Sequence, residues 1–150
     1  MYTLRDDLDG LRLAEPESPD VWLVFGGRRH RVASPAVYQA LFSGAEDIIF
    51  SEDIPSITMG PELNDGTCLA RPAGSHMIFL VTGRGPVRKY HIPTFESFTD
   101  FGFNEGAVID VPALILEAVE LGGELTSAFE RTRRAPDTIQ IPTQASTTEG

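Results

Sequence analysis

The chain of 150 residues has one cysteine, Cys68, so no internal disulfide can form and disulfide-stapled scaffolds are excluded. With no Cys-His motif around it, Cys68 reads as a small packed hydrophobe. No apolar run approaches the roughly 18–20 residues that cross a bilayer. The densest stretches, Val21–Phe25 and Met77–Val81, are strand-sized. Met1 to Asp7 offers neither a cationic n-region nor an apolar h-region, which reads as no signal peptide. The expected location is therefore the cytoplasm if Met1 is the native start, or the cell surface or extracellular space if the chain is a fragment. Catalytic and metal motifs are also missing. His30, His76 and His91 form no His-x-x-x-His or His-Glu-x-x-His pattern, and there is no phosphate loop and no Gly-x-Ser-x-Gly elbow. Glu52 and Asp53 are consecutive, so on a strand they face opposite ways and make no ready acid/base dyad. The reading is of no metal, no cofactor and no catalytic residue.

Charge is unevenly spent. Twelve Lys and Arg stand against 22 Asp and Glu, a formal net charge of −10, which disfavours nucleic acid as a partner. Between Ser43 and Ala70 there are six acids and no Lys or Arg. The bases cluster at 28–31, at 84–89 and at 131–134. Hydrophobic residues at 41% and charged residues at 23% suit a folded soluble domain. A chain of this length buries roughly 68–70% of its unfolded surface, enough for a core without staples.

The chain also resembles itself. Asp9-Gly10-Leu-Arg-Leu13-Ala14-Glu-Pro16 returns as Asp65-Gly66-Thr-Cys-Leu69-Ala70-Arg-Pro72. An apolar strand follows each, then a basic one: Arg28 to Val32 against Arg88 to Ile92. Ser34-Pro35 opens a short helix, and Thr94-Phe95 opens its counterpart. Ile54 to Leu63, with Gly60, closes the first copy, and Leu116 to Leu125, with Gly122, closes the second. Five matches in one order, with length changes only in connections, indicate a duplication. The expected fold is α+β: two tandem β-β-α-β-α repeats packed together, followed by a flexible C-terminal tail. The divisions are a lead-in over 1–8, repeat 1 over 9–64, repeat 2 over 65–126 and a polar tail or extended arm over 127–150.

Local chemistry supports each element. Gly26-Gly27 signals a hairpin between the apolar and basic strands. Ser34 and Thr94 are N-cap residues, and Pro35 suits the first helical position. Val37, Leu41 and Tyr38, and Phe95, Phe98 and Phe101, turn one helical face inward. Ile48–Phe50 and 107–109 read as short strands. Asp110 reads as the cap of a helix running to about Glu120, and Asp53–Thr58 as a helical turn.

Val21 to Tyr38 resembles a bacterial repeat module: an aromatic-aliphatic strand, a Gly turn, a basic pair, then Ser-Pro before a helix, closed by an aliphatic-Pro-x-aliphatic-x-aliphatic-Gly segment. The resemblance covers about residues 9–125. It implies a tandem accessory domain of bacterial surface or secreted proteins, with no catalytic residues to carry over. From the residues themselves, the functional expectation is a non-catalytic interaction or assembly module. It would contact a protein partner, or copies of itself, through Arg28, Arg29, Arg31, Arg88 and Lys89 and through the C-terminal arm. The alternatives are a carbohydrate or cell-wall contact through Trp22, Tyr38 and Tyr90, and a small enzyme using His30 or His91. No membrane insertion is expected.

Overall fold

The computed structural model describes residues 2–83 and 86–133. The fold is α+β. β1 (Arg12–Ala14), β2 (Val21–Phe25), β3 (Arg28–Arg31) and β4 (Ile49–Phe50) form one sheet in the order β3-β2-β1-β4, with α1 (Pro35–Leu41) between β3 and β4 in sequence. β5 (Cys68–Pro72), β6 (Ile78–Val81), β7 (Arg88–Ile92), β8 (Ile109–Val111) and β9 (Glu120–Glu124) form the second, in the order β8-β5-β6-β7-β9. α2 (Phe95–Asp100) follows β7, and α3 (Ala113–Glu117) follows β8. In both sheets the first two pairings along the chain are antiparallel, and the strand after the first helix joins in parallel. Among the described residues no helix is long and apolar enough to cross a membrane.

The expected caps form. Ser34 Oγ accepts the Val37 N–H at 3.3 Å, and Thr94 Oγ1 accepts the Ser97 N–H at 3.0 Å. Gly26 and Gly27 turn from β2 to β3 with φ of +61° and +75°, the two positive values a type I′ hairpin needs.

Three features depart from the sequence reading. First, β1 and β5 sit inside their sheets, whereas the β-β-α-β-α description has no strand there. Arg12-Leu-Ala has little intrinsic strand preference, and pairing on both sides with burial of all three residues holds it extended. Second, Asp110 lies in β8, its Oδ1 2.8 Å from Arg71 Nε, and does not cap a helix. Pro112 keeps the residue before it out of the helical region, so α3 starts at Ala113. Third, the segment after α3 is a strand, β9, parallel to β7.

The hydrogen-bond registers give a residue-by-residue correspondence. Val24 faces Arg29 as Val81 faces Lys89, which sets Val24 against Val81 and Arg29 against Lys89. Leu13 faces Trp22 as Ala70 faces Phe79, so Leu13 corresponds to Ala70. The sequence match of Leu13 with Leu69 is thus one residue out. Gly10 and Gly66 still correspond, with φ of +96° and +95°, and one extra residue enters β5 after that turn. A one-residue slip reverses which face a side chain takes. Leu13 therefore faces the outer cluster with Trp22, while Leu69 enters the central core, where its counterpart in the first half is Arg12.

Both halves supply the central core in equal number. Leu23, Phe25, Val32, Val37, Leu41, Phe42 and Leu63 meet Leu69, Leu80, Ile92, Phe98, Phe101, Phe103 and Leu125. Phe42 and Phe103, each just past its helix, face one another across an antiparallel bridge with rings 5.5 Å apart. The other face of each sheet has its own smaller cluster, closed by Ile54 and Ile57 in the first half and by Leu116 in the second.

Residues 128–133 are helical and reach both halves, Asp9 through Arg131 and Asp100 through Arg133, although the sequence reading puts them in the tail. Ser127 is fully buried; its Oγ donates to Asp100 and accepts the Glu130 N–H. Arg131 reaches Asp9 at 3.0 Å, and Asp9 also accepts the Gly27 N–H. Burial pushes the Asp9 carboxyl above its usual range, against those two bonds. The rest of the expected tail, 134–150, lies outside the described residues.

Candidate functional site

The basic strands do not present one free cationic face. Arg29 is buried, its guanidinium 4.4 Å above the Trp22 ring and its Nε donating to the Ile57 carbonyl at 2.9 Å. Lys89 does the same work in the second half: its Nζ lies 5.3 Å from the Phe79 centroid and donates to the Leu116 carbonyl at 2.8 Å. Each cation ties its sheet to its own closing segment. Arg31 lies 2.5 Å from Glu62 and 3.3 Å from Asp20, and Arg88 lies 3.4 Å from Glu120. The Arg28 side chain is exposed and joins no hydrogen bond or ion pair among the described residues. The acid-rich segment and the basic strand thus compensate one another within the chain, through Arg31 and Glu62.

The aromatic candidates also separate. Trp22 is 6% exposed, so its ring is not offered to a ligand. Tyr90 sets an edge against Phe25, centroids 5.2 Å apart. Tyr38 donates its hydroxyl to the Gly44 carbonyl and accepts from Arg12 Nη1 at 2.7 Å.

The two histidines do not meet as a pair. His30 is buried and stacked on Phe25 at 3.6 Å, with Nδ1 2.8 Å from the Pro61 carbonyl and Nε2 3.2 Å from the Phe25 carbonyl. Burial holds its imidazole below the usual range, outweighing the two carbonyls. His91 lies against Phe79 of the outer cluster, with Nδ1 3.4 Å from Glu124. By register His30, opposite Leu23, corresponds to Tyr90, opposite Leu80, and not to His91. Among the described residues, no group of three or more His, Cys, Asp or Glu is placed to hold a metal ion. Burial raises the Cys68 thiol above its usual range, away from the reactive thiolate.

What the fold does bring together is a pair of grooves. The first, of about 450 Å³, runs between the start of β2, the end of β3 and the first turn of α1; Val21, Arg31, Val32, Ser34, Pro35 and Tyr38 are in its lining. The second, of about 290 Å³, is lined by Ile78, His91, Ile92, Thr94, Phe95 and Phe98, together with His76, Met77 and Pro93. Every residue lining the second groove corresponds to one lining the first, by the offset of 57 that relates β2 to β6 or the offset of 60 that relates β3 to β7. The rims correspond as well: Arg31 with Glu62 in one, His91 with Glu124 in the other.

Each groove has an apolar floor and wall, a capping hydroxyl and an acid-paired base at its lip. Such a surface suits an apolar side chain flanked by polar backbone. Sequence reasoning missed it because the groove joins segments ten or more residues apart. Three of its residues, Tyr38, Arg31 and His91, were singled out, but for other roles. Met77 and Phe95 stand 47% and 60% exposed at the second groove, beyond what packing in the core requires.

No family model matches the chain, and no curated protein or solved structure matches it.

Proposed function

We propose that this chain is a non-catalytic interaction module built from a duplicated unit, holding a protein partner through two corresponding grooves. The observation that carries the reading is the groove pair itself: apolar lining at matched positions, with an acid-paired Arg31 at one rim and an acid-paired His91 at the other. The occupant is an extended segment of a partner that places one apolar side chain in each groove. Two such contacts on one body gain by effective concentration, so each can be weak. The shared core supports this, because it fixes the spacing between the grooves. The contact moves from the basic strands to the grooves, since Arg29 and Lys89 are engaged inside the chain. The role of tandem accessory domain in a bacterial surface or secreted protein belongs to the same reading.

The test fills the grooves. Ala33→Trp and Pro93→Trp replace corresponding half-buried lining residues with a bulky ring. A partner fished with the wild-type chain is then titrated against each variant and the double variant. Loss of affinity in each single variant, with near abolition in the double one, supports the reading. Wild-type affinity in the double variant, with its circular dichroism unchanged, overturns it.

A further inference from the structure

The two sheets end on corresponding edges that differ in one respect. β8 in the second sheet and β4 in the first both terminate their strand orders, each parallel to the first strand of its half. By register, Ile49 corresponds to Ile109, and Phe50 to Asp110. The β8 edge carries a charge: Asp110 is bonded to Arg71 at 2.8 Å. A charge on a terminal strand discourages pairing with another chain. The β4 edge has no such guard. Phe50 occupies the place of Asp110 with 68% of its surface exposed, and Ile49 beside it is 46% exposed. A cavity of about 480 Å³ adjoins this edge, with Arg12, Ile49 and Phe129 in its lining, and Phe129 is itself 52% exposed.

The surroundings specify what fits. Glu46 and Asp47 precede the strand and Glu52 and Asp53 follow it, all four exposed. Among the described residues only Asp47 has a cation within salt-bridge distance, the Arg12 guanidinium at 3.8 Å. A second copy of this chain is a poor occupant. It carries a net charge of −10, and nearly all of its described cations are already bonded within the chain. We infer that β4 is a docking edge for an extended basic segment of another protein, one alternating lysine or arginine with aliphatic residues. Its aliphatic side chains, all on one face of the added strand, would lie beside Phe50, its cations would reach the flanking acids, and its backbone would extend the sheet. The edge adjoins the first groove, since Ile48 lines both that groove and the cavity beside the edge, but its variants at Glu46, Phe50 and Glu52 alter no residue that lines either groove.

The probe is a blocked heptapeptide of alternating lysine and valine, titrated into the isotopically labelled full chain at low and moderate salt. The expected result is saturable amide shifts confined to residues 12–14 and 46–53, weakening as salt rises. Phe50→Asp, which copies the β8 edge, should weaken binding about tenfold, although it adds a negative charge. Glu46→Gln with Glu52→Gln should weaken it and flatten the salt dependence. A glutamate-valine peptide should not bind. Binding unchanged by Phe50→Asp, shifts centred elsewhere, or no binding at millimolar peptide would overturn the inference. So would a chain dimer that Phe50→Asp dissolves, which would make the edge a self-contact. Binding seen only after removal of residues 134–150 would assign the edge to the chain's own terminus, and the inference would fail.

Discussion

Leu23 and Leu80 occupy corresponding positions in the central core, both fully buried, one in each half. Trp22, the chain's only tryptophan, lies in the first half, next to Leu23 and buried in that half's outer cluster. If the core is one cooperative body, a cavity cut in the second half must be felt at Trp22. Leu80→Ala removes a side chain with no exposed surface, and buried Leu→Ala changes cost about 2–5 kcal/mol, rising by about 24 cal/mol for each Å³ left empty. With a urea slope of about 2 kcal/mol per molar, the middle of the usual range, the midpoint should fall by about 1–2.5 M. The assay is urea unfolding followed by Trp22 fluorescence, which reports the first half, and by far-ultraviolet circular dichroism, which reports both. Both signals should shift together, and Leu23→Ala should move them by a similar amount. If Leu80→Ala lowers the dichroism midpoint while the Trp22 midpoint stays in place, the halves unfold separately and the single-core argument is refuted.

Three further outcomes follow from local geometry. A Cβ on Gly60 would stand 2.3 Å from the His30 ring, and one on Gly122 would stand 2.7 Å from the Tyr90 ring. Both Ala variants should lower thermal stability, by about 1–3 kcal/mol, with Gly60→Ala the worse because buried His30 has less room to yield than half-buried Tyr90. His30 stays neutral in the fold at pH values where the unfolded chain binds a proton, so stability should fall as pH drops below about 6.5. That slope should shrink in His30→Phe, as measured by urea midpoints between pH 7 and pH 5, and an unchanged slope would show that His30 is not its source. Buried Arg12 donates to the Gly44 carbonyl at 2.6 Å and to Tyr38, where the second half has Leu69. Arg12→Ala should cost about 1.5–3 kcal/mol in chemical denaturation, the scale of hydrogen bonds made by a charged group, and Arg12→Leu should cost less, since an apolar side chain refills the space.

The legible parts of the fold were those set by local chemistry. Ser34, Thr94 and the Gly26-Gly27 turn each act within a few residues of themselves, and each forms as expected. β1 was not legible, because Arg12-Leu-Ala is extended only through its neighbours on either side. The one-residue slip that sets Leu13 against Ala70 and not Leu69 is not legible, because the two Leu-Ala pairs match in sequence but not by hydrogen bond. Arg29 and Lys89 show a related limit. An alternating basic strand suggests a wet face, yet both long side chains lie over aromatic rings and end on backbone carbonyls. Whether a cation faces solvent or a closing segment depends on where residues about 27 positions away return to the sheet. The grooves were hidden for the same reason, although aligning the two halves does bring their lining residues into register.

The most direct test of the two-groove account is an amide-shift map of the isotopically labelled chain with a bound partner segment. The account expects two corresponding sets of shifts, one over 31–34 and Tyr38 and one at His91, Ile92, Thr94, Phe95 and Phe98, saturating together. Shifts at one groove alone, or on a surface that touches neither, would contradict it.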